Sequence, residues 1–205
     1  MEQPVATFKK GNKVLEIYQN CDQADDPRSW DNMGTMLCFH RRYSLGDKQD
    51  TNFPIRTDMF SSWDEMKQFI VRNYDVAVIL PLYMYDHSGI TIRTYPFDCR
   101  WDSGQIGFIY ATRKAIRESY GVKLVTKKVK ERVEKHLIGE VETYDQYVTG
   151  DVYGFRLKTV SVLADGNEEG EEETDSCWGF YGTDWKTNGI FDHVEGKFEE
   201  WVEVK

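Results

Sequence analysis

The segment Val76-Ala77-Val78-Ile79-Leu80-Pro81-Leu82-Tyr83-Met84-Tyr85 decides the fold class. Its first five residues are continuously apolar, which at this length predicts a central strand. Pro81 cannot donate to a ladder, so a bulge or a free edge is expected after Leu80. Beyond it, Ile90 to Tyr95 alternates and Ile106 to Tyr110 reads as a buried strand. Upstream, Ser62-Trp63-Asp64-Glu65 has capping-box spacing, and Trp63, Met66, Phe69 and Ile70 follow at helical intervals. Downstream, Thr112 caps a helix that Gly121 ends after Tyr120. A longer helix starts near Thr126 and puts Val129, Val133, Leu137, Val141, Tyr144 and Val148 on one face. Gly139 marks a kink in it, and Gly150 is its C-cap.

The two ends of the chain are strand-rich. Gly11-Asn12 separates two short runs over residues 5–18, a hairpin pattern. Gly34 to His40 is a third strand. Asp151 to Leu163 and Cys177 to Tyr181 pair as a hairpin across residues 164–176, which read as a mobile acidic loop. Phe198 to Val204 reads as an edge strand. Strands and helices do not alternate regularly, so the expected class is α+β, a mixed or mainly antiparallel sheet packed against two or three helices. No linker divides the chain, and residues 1–205 read as a single compact domain.

Composition bounds the function. A net charge of −9 over 205 residues favours solubility and argues against nonspecific wrapping of DNA. The start lacks the basic and apolar regions of a signal peptide, and no apolar run approaches a membrane span. Four scattered cysteines without a C-x-x-C pair read as reduced thiols and give no zinc spacing. A cytoplasmic protein with no membrane contact is expected. Charge is unevenly spread: residues 113–135 hold nine Lys and Arg against three Glu. Such a patch docks on phosphate or an acidic partner, or is a solvated helix face.

Three constellations carry possible chemistry. Tyr85-Asp86-His87-Ser88-Gly89 and Cys99-Arg100-Trp101-Asp102-Ser103-Gly104 flank one short strand. If these turns converge, Asp86, His87 and Asp102 are the candidate catalytic set. They are equally the ligands for a divalent metal, the one cofactor the region suggests, with Arg100 holding an anionic substrate. Ordinary turn chemistry is the alternative, since Asp and Ser cap their own backbone. Cys38-Phe39-His40-Arg41-Arg42-Tyr43 offers His40, Arg41 and Arg42 to a small anionic ligand. Tyr144 and Tyr147 flank Asp145 near a helix end, where their hydroxyls suit a sugar, base or peptide.

Residues 34–43, 85–90, 101–110 and 142–155, taken together, resemble an uncharacterised family carried by bacteriophages and mobile elements, over roughly residues 30–182. The resemblance brings no mechanism. It implies an accessory protein that binds and modulates a host protein, as in counter-defence. The surface expected to do so is the acidic run Glu168, Glu169, Glu171, Glu172, Glu173 and Asp175, mimicking backbone phosphates toward a nucleic-acid-binding face. The alternative is a metal-dependent hydrolase or a nucleotide-binding protein using residues 85–105.

Overall fold

The structure is a computed structural model that describes residues 3–19, 24–49, 54–99, 101–162 and 168–204. It is α+β, with three helices and nine strands in two antiparallel sheets among the described residues. The chain divides into two compact units, Met1–Asp25 with Gln146–Lys205, and Asp26–Asp145. The sequence of the first unit holds eighteen Asp and Glu against eight Lys and Arg, that of the second seventeen against eighteen. The excess negative charge therefore belongs to the first unit.

The first unit contains strands β1 (Ala6–Lys10), β2 (Lys13–Gln19), β7 (Val152–Val162), β8 (Glu168–Tyr181) and β9 (Val202–Val204). They lie in the order β8-β7-β2-β1-β9. The expected hairpin at Gly11-Asn12 forms, with Gly11 at φ 61°. Register places Phe8 opposite Leu15, Leu15 opposite Leu157, and Ile17 opposite Phe155. One face is thus apolar, and Ile190, Phe191, Val194 and Trp201 complete its core. Phe191 meets Phe8 edge-on, with ring centroids 5.2 Å apart. The opposite face carries Glu16, bridged to Lys158 at 3.0 Å.

The acidic run corrects the sequence reading. From Glu168 onward it is not a loop but the first half of β8, paired with β7 from Glu168 opposite Val162 to Tyr181 opposite Val152. Residues 164–167 of the expected loop lie outside the described residues. β8 is the last strand of its sheet, and residues 170–176 are exposed.

The second unit contains β3 (Thr35–Cys38), α1 (Trp63–Asn73), β4 (Val76–Asp86), β5 (Ile90–Arg93), β6 (Ser103–Thr112), α2 (Arg113–Tyr120) and α3 (Lys127–Thr149) as far as Asp145. The sheet order is β3-β6-β4-β5. Ser62 Oγ accepts from Glu65 N at 3.2 Å, but the Glu65 carboxylate turns back to Ser61 N rather than to the cap itself. Thr112 Oγ1 caps α2, and Gly121 ends it at φ 61°. α3 runs unbroken through Gly139. β4 also continues through Pro81, opposite Phe108 on β6, while β5 pairs only with Tyr83–Asp86. Pro81 therefore sits where one side of β4 is a free edge, and the bulge comes between Leu82 and Tyr83.

Leu37, Met66, Ile70, Val76, Phe108 and Tyr110 form the core beneath α1. On the other face α3 approaches Gly34 closely. A methyl group there would lie 2.5 Å from Leu137 Cδ2 and 3.0 Å from Ile109 Cδ1.

One buried cation ties these parts together. Arg28, with 3% of its side chain exposed, donates to both oxygens of Asp47 at 2.7 and 2.9 Å. It also reaches Glu140 on α3 at 3.0 Å and the Gly34 carbonyl at 2.6 Å. Glu140 accepts the amides of Met33 and Gly34, both at 3.1 Å, and Asp47 accepts that of Met36 at 2.8 Å. Burial alone would lower the Arg28 pKa, but the bonds to Asp47 and Glu140 outweigh it and raise it. Arg28→Met would strand two carboxylates and should cost about 3–5 kcal/mol in urea unfolding. Arg56→Ala removes an exposed pair with Asp58 and should leave the midpoint in place. Equal midpoints for both variants would contradict this assignment.

Candidate functional site

The two expected turns do meet. Asp86 ends β4, and its amide donates to the Asp102 carbonyl at 2.8 Å. His87-Ser88-Gly89 forms the turn into β5, with the His87 amide on the Gly89 carbonyl at 3.0 Å. Ser88 takes φ 58°, so the strained position falls on serine as well as on Gly89. His87 Nδ1 lies 3.5 Å from Asp102 Oδ2.

The three side chains are not placed to share a metal ion. Asp86 closes β4 and His87 lies in the turn after it, and their side chains take different partners. The Asp86 carboxylate is bonded by Arg42 and, at 3.4 Å, by the Tyr43 hydroxyl. Asp102 turns instead to His87 and, at 3.8 Å, to Cys99 Sγ. Among the described residues no three His, Cys, Asp or Glu side chains are placed to share a metal ion. Arg100 lies outside the described residues.

The Arg42–Asp86 bond joins the second constellation to the first. β3 ends at Cys38, two residues short of the strand expected to His40, and a loop follows. In it the His40 and Tyr43 rings stack 5.1 Å apart at 13°. Arg42 lies 5.5 Å over the Tyr43 ring. His40, Arg41, Arg42 and Lys48 line an open depression of about 530 Å³ whose lining includes Cys38 and Asp47. Arg41 and Lys48 are exposed, and neither has an ion pair among the described residues.

Beyond Asp86 the surface becomes a row of planar groups. His87 stacks on Tyr85 at 6.0 Å, and Tyr85 on Phe97 at 5.6 Å. Phe97 and Tyr95 both lie against the Arg93 guanidinium, at 3.7 and 4.1 Å. The row ends on exposed groups, His87 and Tyr95, and Trp101 nearby in sequence is 95% exposed. Sequence reasoning missed this row. Its only local signal is the spacing of Arg93, Tyr95 and Phe97 at alternate positions, which extended chain places on one side.

The tyrosine constellation is structural in part. The Tyr144 hydroxyl accepts the Gly46 amide at 3.0 Å, and its ring is buried. Tyr147 is half-buried and falls in the first unit. Asp145 accepts from Thr91 Oγ1 at 2.8 Å and from Ile92 N at 2.6 Å, which closes the outer edge of β5. Comparison with protein-family models, curated proteins and solved structures finds no match.

Burial, reinforced by the Asp47 carboxylate against the opposing pull of Arg28, pushes the Cys38 thiol up to about 12. Only the thiolate is nucleophilic, and at pH 8 about one Cys38 in ten thousand would be ionised. Iodoacetamide at pH 8 should therefore leave Cys38 unmodified in native protein and alkylate it in urea, as read by peptide mass spectrometry. Rapid native alkylation would contradict the placement of this thiol.

Proposed function

We propose that this chain is a binding protein rather than a catalyst, and that the second unit takes a nucleotide-like ligand with a phosphate and a planar ring. The observation that carries this is the Arg42–Asp86 bond. It ties the cationic depression lined by His40, Arg41, Arg42 and Lys48 to Asp86, the residue that precedes His87 and its planar row in the chain. Guanidinium and ammonium groups suit a phosphate, and a ring stacks on an exposed aromatic or imidazole face. Hydrolysis finds less support, since the Asp86 carboxylate is already engaged by Arg42 and Tyr43. Calorimetry with the four ribonucleoside monophosphates should show saturable binding. Arg41→Ala with Arg42→Ala should weaken it at least tenfold while circular dichroism stays unchanged. Absence of binding at millimolar ligand, or equal affinity in the variant, would contradict the reading.

A second reading is favoured by the acidic strand. An antiparallel strand rises about 3.4 Å per residue, and each DNA strand carries one charge per about 3.4 Å of axis. Side chains alternate along β8, so Glu171 and Glu173 share one face about 7 Å apart and Glu172 lies on the other, which gives each face a spaced row of negative charge. Glu171 is fixed by Lys158 at 3.0 Å and Glu173 approaches Arg156 at 3.8 Å. Glu172 and Asp175 have no ion pair among the described residues. In the setting that the family resemblance implies, a host protein with a basic nucleic-acid-binding face is the partner. No helix among the described residues is long and apolar enough to cross a membrane. The joint variant Glu171→Gln, Glu172→Gln, Glu173→Gln, Asp175→Asn should abolish binding to basic DNA-binding domains that duplex DNA displaces from the native protein. Undiminished binding in that variant would refute the mimicry.

A further inference from the structure

We infer that the outward ridge of α3 contacts the phosphate backbone of a nucleic acid along one side, without wrapping it. Val133, Leu137, Val141 and Tyr144 are buried and define the inner side of this helix. At 100° per residue, Lys128, Arg132 and Lys135 fall on the opposite side. All three are exposed, as are Lys127 at the start of the helix and Lys123, four residues before it. None of these five has an ion pair among the described residues; the basic residues nearby that do are Arg113, with Asp75, and Lys114, with Glu118. The Arg132 guanidinium carbon rests 4.9 Å over the Tyr120 ring, which fixes where that charge is presented.

The composition of the ridge selects its partner. Protein interfaces are depleted in Lys and need an apolar or aromatic centre. The outward residues from Lys127 to Lys135 are Lys, Arg and Glu alone, with Glu131 and Glu134 as the acids. A membrane-surface helix needs bulky apolar residues on the face opposite its charges. Here that face is buried in the unit's own core, and Leu124, 74% exposed, lies before the helix begins. Lys128, Arg132 and Lys135, spaced four and three residues apart on a rigid rod, place charges about 6 and 4.5 Å apart along the axis. Such a row suits a regular line of phosphates, which gives affinity without sequence preference. These residues are separate from both His40–Arg42 and β8, so this inference stands or falls independently of the readings above.

The test is fluorescence anisotropy of a labelled duplex of about 24 base pairs with the full chain. With about five phosphate contacts, affinity should fall by a factor of about 10²–10³ between 50 and 200 mM salt. The variant Lys128→Glu, Arg132→Glu, Lys135→Glu alters exposed positions only. It should bind at least tenfold more weakly and flatten the salt slope by about three contacts. Arg41→Ala with Arg42→Ala should leave duplex binding unchanged, which separates this surface from the nucleotide site. No saturable binding at 50 mM salt, or an unchanged slope in the triple variant, would overturn the inference. So would ridge-dependent binding to phosphatidylserine vesicles, or ridge-dependent self-association in sedimentation, with none to the duplex.

Discussion

A guanidinium buried between two carboxylates holds the second unit together. Arg28 has no alternative to Asp47 and Glu140, because a charge so removed from water must be paired and fully hydrogen-bonded. Each partner then does a second task. Glu140 satisfies the amides of Met33 and Gly34, which fixes the entry to β3 against α3. Asp47 takes the outward amide of Met36, which fixes the outer edge of β3. The same charges set the environment of Cys38. Gly34 is required where it stands because Leu137, Glu140 and Ile109 occupy the space of a side chain.

The two sheets treat their edges differently. In the second unit each edge is closed by an aspartate, Asp47 at β3 and Asp145 at β5. Neither edge can recruit another strand through those amides. In the first unit β8 ends its sheet and is protected by charge, with glutamates along an exposed strand. This division of charge shapes the functional account. The proposed phosphate-binding surfaces lie in the second unit, and the proposed phosphate mimic lies in the first.

The sequence made the local signals readable. Ser62, Thr112 and Gly121 bound helices because capping is a matter of a few adjacent residues. The stripe from Val129 to Tyr144 identified α3 because burial follows the helical period. The first part of β8, up to Ser176, reads as a loop because Glu, Gly and Asp are poor strand formers, whereas Cys177–Tyr181 reads as strand. Its pairing with the strongly strand-forming β7 overrides that preference. The Arg28 network left no trace, since Asp47 and Glu140 stand 19 and 112 residues away with no periodic relation. The convergence of residues 86 and 102 was foreseeable from the turns. The pairing of the Asp86 carboxylate with Arg42 has no local signal, since 44 residues separate the two.

Amide hydrogen exchange of the unliganded protein, resolved by residue, tests most directly that carboxylates close one sheet while charge alone guards the other. The Met36 and Ile92 amides, held by Asp47 and Asp145, should exchange only on global unfolding. Alternate amides between Glu171 and Ser176, facing outward from β8, should exchange far faster. Rapid exchange at Met36 and Ile92, or uniform protection along β8, would contradict the account.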